Sequence, residues 1–340
     1  MSTGVRMGRA RGDGLRRLGM ERDRLVVLFG GGGFIGRYAA QALFRARARV
    51  RFAERDPRRA FYNKALGSIG QSQFVAADIT RPDTVARAVE GADAVVNLVG
   101  TFGKTMPAVH IEGARNVARA AAAAGVEALV HVSAIGADPA GRALYARTKG
   151  EGEAAVRDVF PNATILRPSV VFGQEDQFLN RFANLIARAP VVPILRGKTR
   201  FQPVFVGDVA DAIRAAAVNP GQYGGRVFEL GGPDTLTMAE LNAWIAGEVN
   251  RRPRFIDVPD IAGRAIAAAG FLPGAPITRD QWLMLQGDNV VSDGADGLEA
   301  LGVNPTPMAA VAGPWLVRYR RMGRFATRAV ETADAGELSA

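Results

Sequence analysis

The feature that most constrains this chain is a run of four glycines, Gly30 to Gly33, set between the apolar stretch 25–29 and a helical pattern that opens at Phe34. Each glycine costs conformational entropy on folding, so four in succession need a backbone reason. A strand that turns at once into a helix supplies one. The run fits G-x-x-G-x-x-G as Gly30, Gly33 and Gly36, and G-x-G-x-x-G as Gly31, Gly33 and Gly36. One glycine permits the turn, a second lets a pyrophosphate approach the backbone, and a third lets the helix lie close on the strand. The free N–H groups of the first helical turn, at Phe34 and Ile35, then meet the phosphates together with the helix's partial positive charge. Following a strand, opening a helix and starting a βαβ unit, the run reads as a dinucleotide-binding turn.

The pattern beyond it agrees. Short apolar runs at 25–29, 48–54, 73–78, 92–99, 126–136 and 163–168 alternate with helical stretches, among them one from Pro57. That is the pattern of a parallel sheet covered on both faces. After Pro168 strands and helices mix, and 251–285 reads as helical pieces broken by prolines. The expected fold class is α/β: a doubly wound parallel sheet of the Rossmann kind with a smaller mixed C-terminal lobe. The expected division is a basic arm at 1–24, the dinucleotide-binding domain at 25–168, a smaller lobe with returning elements at 169–325, and a tail at 326–340.

Which dinucleotide is bound turns on the end of the second strand. Glu54 lies where an acid would take a ribose 2′-OH and favour NAD(H). Arg55, Arg58 and Arg59 suit a 2′-phosphate instead, because a guanidinium pairs with phosphate bidentately. The balance favours NADP(H) over NAD(H). Farther on, Tyr145 and Lys149 stand four apart on one helix face, with Ser133 at the end of the fifth strand. Lys149 would bond a nicotinamide ribose and lower the Tyr145 pKa from its usual value of about 10. Ser133 would orient a substrate carbonyl or hydroxyl. Lys149 carries weight because only Lys64, Lys104, Lys149 and Lys198 break an otherwise all-arginine set of 43 basic residues.

Other polar residues receive plainer readings. His110 reads as a surface or packing residue in a helix, and His131 as a buried, hydrogen-bonded residue of the fifth strand. Glu151 and Glu153 read as a solvated helix face, and Asp208 as an N-cap. Trp315, Tyr319 and Phe325, with Arg318, Arg320, Arg321 and Arg324, form a basic aromatic tail helix, read either as ordinary packing or as a docking element.

Composition removes several classes of function. With no cysteine there are no disulfides, thiolate metal sites or Cys nucleophiles. Two histidines do not make a metal site unaided, and none is expected. No stretch has the length and apolarity of a spanning helix, and the first two dozen residues lack the apolar centre of a secretory signal. The chain is expected to stay in the cytoplasm or to sit on a membrane without crossing it. The net charge of +10 and the seven arginines before Leu25 describe a solvated tail or an arm for anionic lipid or an acidic protein surface. No zinc knuckle, basic zipper or aromatic-basic RNA motif accompanies the charge, so nucleic acid is not expected.

Taken together, GGGGFIGRY, Ala77-Asp78-Ile79-Thr80, Asn97-Leu98-Val99-Gly100, Tyr145/Lys149, LRPSVVFG (166–173) and PVFVGDVADAI (203–213) resemble the atypical or extended short-chain dehydrogenase/reductase family. The resemblance implies that Asp78 and Ile79 flank an adenine, that Leu98, Val99 and Gly100 line the cofactor cleft, and that Arg167-Pro168 opens the substrate lobe. Features outside that core are similar to the nucleotide-binding accessory subunits of respiratory complex I, NADH:ubiquinone oxidoreductase: HVSAIGADP with the following YARTKGEGEAAVRDVFPNATILRPSVVFGQEDQFLNRFA, then ITRDQWLMLQGDNVVSD (277–293), LEALGVNPTPM (298–308) and WLVRYRRMGRF (315–325). This closer likeness implies an NADPH held at the junction of the peripheral and membrane arms, in a structural or regulatory role outside the electron path. It also implies other complex I subunits as partners and a peripheral place on the cytoplasmic face of the bacterial inner membrane, with contact to anionic lipid. The alternative is a free NAD(P)-dependent reductase, dehydrogenase or epimerase that uses Tyr145, Lys149 and Ser133.

Overall fold

The computed structural model describes residues 24–321 and 323, except 273, 274 and 276. The basic arm apart from Arg24, the residues Arg324 and Phe325, and the tail from 326 lie outside the described residues.

Leu25–Phe29 (β1) is buried along its whole length, as a strand covered on both faces must be. It leads into α1 (Phe34–Arg45), whose Ala39, Ala40, Leu43 and Phe44 are buried. Arg49–Glu54 (β2), Ser72–Ala76 (β3), Ala94–Asn97 (β4), Ala128–Val132 (β5) and Thr164–Pro168 (β6) follow. Between them lie α2 (Pro82–Val89), α3 (Ala114–Ala124) and α4 (Leu144–Val159). With Val227–Leu230 these strands form one seven-stranded sheet, in the order Val227–Leu230, β6, β5, β4, β1, β2, β3. Every neighbouring pair is parallel. The expected doubly wound α/β sheet is thus observed. The strand order turns outward in both directions from the β1/β4 pair, so a crevice opens beyond their carboxyl ends, where ligands bind in such sheets.

The chain forms two compact units. The first combines residues up to Pro168 with Val206–Gly231 and Val291–Pro305. Its sheet is covered by helices including Val206–Val218, which packs against α1, and Leu298, Leu301 and Val303 from the last segment are buried. The second combines Ser169–Phe205, Gly232–Val290 and the residues from Thr306. Helices Leu179–Arg188 and Met238–Glu248 build its core with Phe172, Val192 and Leu316. Thr237 and Glu240 close a reciprocal capping box on the second helix, as Thr278 and Gln281 do on Arg279–Met284.

Several local readings need correction. The helical stretch expected from Pro57 is present, as a 3-10 helix over Pro57–Leu66. The helical segment that holds His110 starts as a π-turn, Ala108–Gly113, before α3 begins. Residues 251–285 contain a strand, Arg254–Val258, paired in parallel with Val191–Leu195; no pattern in that Arg-rich stretch signals a strand whose partner lies some sixty residues upstream. The tail is a single α-turn, Gly313–Leu316, followed by a 3-10 turn at Val317–Tyr319. Trp315 and Tyr319 pack on the unit's own core, and Arg318 lies over the Tyr319 ring while donating to Asn180 Oδ1 at 2.6 Å. Asp208 is not an N-cap: it lies buried within the first turn of Val206–Val218.

Candidate functional site

The glycine turn has three distinct jobs in three places. Gly30 adopts φ +81°, open to glycine and costly for other residues. A Cβ at Gly36 would fall 2.6 Å from Gly30 O and from Gly31 Cα, so α1 can approach the turn only with glycine there. Gly33 is exposed, caps α1 with no side chain, and a Cβ there would meet only Gly30 O at 3.3 Å. The backbone is therefore bare toward solvent where the first N–H groups of α1, at Phe34 and Ile35, lack intrahelical partners. The loop is braced from behind: Gly32 N–H donates to Glu54 Oε1 at 2.5 Å, and Asn63 Nδ2 donates to Gly31 O at 3.2 Å. Sequence reasoning did not find Asn63; it sits in the 3-10 segment, 32 residues from its partner.

Around the end of β2, burial pushes the Glu54 carboxyl up, opposed by the Gly32 N–H and by the charges of Arg59 and Arg55. Asp78 is also pushed up by burial, but two bonds from Thr80 and the charges of Arg55 and Arg81 outweigh it and leave the carboxyl below its ordinary range. Arg55 thus acts on both acids. Ile79 is buried, and a Cβ at Gly113 would strike its Cδ1. Leu98, Val99 and Gly100 follow β4 directly, and the Leu98 carbonyl carbon lies 3.3 Å from the Cβ position of Gly30. The loop after β4 therefore faces the turn after β1 across the switch point.

A second cluster gathers at the ends of β4 and β5. Lys149 is buried, and its Nζ donates to Val132 O at 3.1 Å. Burial lowers its pKa to about 8, against an opposing pull from Glu153. His110 Nε2 accepts from Thr101 N–H at 3.0 Å, and its Nδ1 lies 2.9 Å from Thr148 Oγ1. Burial first, then the Lys149 charge, lowers His110 to about 4. His131, paired with Asn97 Nδ2 at 3.2 Å, falls to about 3 for the same reasons. The Tyr145 ring stacks on Phe102 at 4.9 Å and meets His110 edge-on at 5.6 Å. Ser133 Oγ is buried with no hydrogen-bond partner. The free N–H groups of Phe34 and Ile35, beside the sterically open backbone at Gly33, are the donors a bound pyrophosphate would satisfy, so the residues present fit such a ligand.

The expectation for Tyr145 needs correction. The Lys149 Nζ is 6.0 Å from the Tyr145 ring centroid, and burial pushes the phenol up to about 12 rather than down. At neutral pH the phenol keeps its proton, so it can donate a hydrogen bond but is a poor base. His110 is buried with both ring nitrogens engaged, not a surface residue. Glu153 is not solvated. It is buried and receives Arg167 in a two-pronged pair, Nε to Oε1 at 2.9 Å and Nη2 to Oε2 at 2.7 Å, while Arg167 Nη1 reaches Glu229 Oε1 at 3.3 Å. Arg167 therefore ties β6 to α4 and to Val227–Leu230. Among the described residues there is no group of side chains arranged to hold a metal, and no helix is long and apolar enough to cross a membrane.

Residues 26–231 match the model of the NAD dependent epimerase/dehydratase family. The rat mitochondrial NADH dehydrogenase (ubiquinone) 1 alpha subcomplex subunit 9 is 34% identical over 324 residues, covering 92% of this chain and 84% of its own length. The ceramide reductase of Caulobacter vibrioides is 31% identical over 266 residues, covering 74% of this chain and 80% of its own. Among solved structures, the NADPH-dependent quinone oxidoreductase of Escherichia coli, in complex with NADPH, superposes with a TM-score of 0.69 at 20% identity, covering 84% of this chain and 97% of that one. That last likeness is one of fold.

Proposed function

The chain belongs to the NAD dependent epimerase/dehydratase family, groups there with the subunit 9 proteins of NADH dehydrogenase, and on that premise we propose that it is an accessory, NADP(H)-binding subunit of respiratory complex I that keeps its nucleotide as a structural element without turnover. One observation carries this reading. The family model ends at residue 231, yet the likeness to the rat subunit spans 92% of the chain. It continues past the matched family region into the second unit, which is expected of a shared assembly role more than of a shared fold.

In this reading Gly30, Gly33, Phe34, Ile35 and Gly36 receive the pyrophosphate, with Leu98, Val99 and Gly100 along the opposite wall. Glu54 already accepts the Gly32 N–H, which leaves exposed Arg55 to meet a 2′-phosphate and favours NADP(H). Asp78 and Ile79 border the adenine. A bound nicotinamide would supply hydride-transfer chemistry. Lys149 is placed to bond the adjoining ribose, while Tyr145, protonated and roofed by Phe102, serves as packing. The chain would sit peripherally on the cytoplasmic face of the bacterial inner membrane among other complex I subunits.

A second reading has its own support. Tyr145, Lys149 and Ser133 are all retained, and a relative at 31% identity is named a reductase; a lipid-carbonyl reductase would need the same cradle. A tagged pull-down from native membranes in mild detergent, with the bound nucleotide released and typed, separates the two. Complex I subunits in fixed ratio with retained NADPH are the expected result. A lone protein that exchanges nucleotide freely and oxidises NADPH with a long-chain carbonyl would reject the assembly role.

A further inference from the structure

In the second unit the helix Asp260–Ala268 is built the wrong way round for a protein surface. A surface helix buries its large apolar residues and exposes polar ones. Here the smallest residues face inward: Gly263, where a Cβ would lie 2.5 Å from the Trp282 ring, and Ala267, which clusters with Ile277 and Trp282. The large residues face out. Ile261 is 86% exposed and Phe271, just past the helix, 83%, with Leu272 and Ile266 also exposed. Soluble monomers seldom concentrate exposed side chains of this size in one short stretch.

The chemistry of the stretch narrows what covers it. From Ile261 to Ile277 the sequence is IAGRAIAAAGFLPGAPI, in which Arg264 is the one side chain that carries a charge or any hydrogen-bonding group. A protein partner's interface needs about one hydrogen bond per 100–200 Å², and this stretch offers side-chain donors at Arg264 alone. Acyl chains ask for none. The helix-starting Asp260 is already paired with Arg196 at 2.5 Å, so the exposed part is apolar with one cation, on a chain of net charge +10. Basic residues are drawn to anionic headgroups by about 1 kcal/mol each.

We infer that residues 261–272 are a shallow membrane-insertion surface, with Ile261, Phe271 and Leu272 entering the acyl boundary of an anionic phospholipid bilayer and Arg264 meeting its headgroups. The inference deepens the peripheral attachment proposed above and rests on that reading only for the bilayer being the neighbouring surface.

The test uses the full chain and floats it with phosphatidylcholine vesicles, with and without phosphatidylglycerol. High salt screens the basic arm, leaving apolar insertion as the main source of binding. Ile261→Ser with Phe271→Ser, both at exposed positions and so harmless to the fold, should weaken flotation at high salt by about tenfold or more. Phe271→Trp should shift its emission to the blue on adding vesicles. At low salt, Arg264→Glu should weaken binding to phosphatidylglycerol vesicles but not to phosphatidylcholine alone. A double variant that floats like the parent, or a parent that does not bind vesicles at high salt, overturns the inference. A double variant that floats normally but no longer co-purifies with respiratory subunits also overturns it, because a protein then covers the stretch. A double variant that loses flotation sustains the inference whether or not respiratory subunits co-purify with the parent; their absence would count against the assembly role alone.

Discussion

His110 carries its proton on Nδ1, because Nε2 is taken by the Thr101 N–H. It donates to Thr148 Oγ1, which in turn donates to Tyr145 O at 3.2 Å. One neutral imidazole thus fixes the loop bearing Phe102 to the helix bearing Tyr145. Its pKa is lowered from 6.5 to about 4, and that of His131 to about 3, so the folded state binds these protons less readily than the unfolded chain. The stability these two groups contribute should be fully present above pH 6.5 and be lost as pH falls through about 4 for His110 and about 3 for His131. Melting temperature measured across that window should fall, and His110→Gln should flatten part of the slope; a flat profile in the parent would exclude the linkage. The glycines of the turn were legible in one dimension because their constraint is local. His110 was not, because its partner Thr148 lies 38 residues away and a lone histidine in an apolar helix gives no sign of a partner.

At the level of elements, α4 shows where sequence reading stops. Its four-residue spacing of Tyr145 and Lys149 is legible in the chain, but the burial of its acidic residues is not. Glu151 is half-buried, and Glu153 sits against β6. Charge alternation on a helix normally marks a solvated face, and only the neighbouring strand reverses that. Arg167 answers two buried carboxylates, and Glu229 also accepts the Ser292 N–H at 2.8 Å. Such a cluster stabilises little compared with an apolar replacement, but removing Arg167 takes away the hydrogen-bonded counter-charge of two buried acids. Arg167→Ala should therefore lower unfolding free energy by about 3 kcal/mol or more in urea titrations. Arg167→Lys should restore only part, since one ammonium cannot copy the two-pronged pair. A loss below about 0.5 kcal/mol, ordinary for an exposed residue, would remove the cluster's structural role.

For the whole molecule, the parallel sheet and its strand order followed from repeated βα patterning. The contribution of residues 291–305 to the first unit did not, because VSDGADGLEALGVNP has no strand or long helix to announce it. Yet Glu229 N–H donates to Asp296 O at 2.9 Å, and Leu298, Leu301 and Val303 are buried. A full-length chain with Leu298, Leu301 and Val303 each replaced by Ser should therefore melt well below the parent. The lost burial of three apolar side chains amounts to several kcal/mol, at ~1.5–3 kcal/mol each. Calorimetry on the two would decide it, and equal melting temperatures would show that the packing of the last segment is dispensable.

The division of the first unit among three stretches of chain also governs the order of events at the ribosome. The glycine turn emerges early, but the sheet lacks its outermost strand until residue 230 is made and its final buried segment until about residue 303. Pairing between distant stretches is slow to form, and partly made sheets expose sticky edges. The nascent chain must therefore carry an unfinished sheet beneath the glycine turn through most of its synthesis. Free dinucleotide or a chaperone in that interval would matter more to its yield than to its final stability.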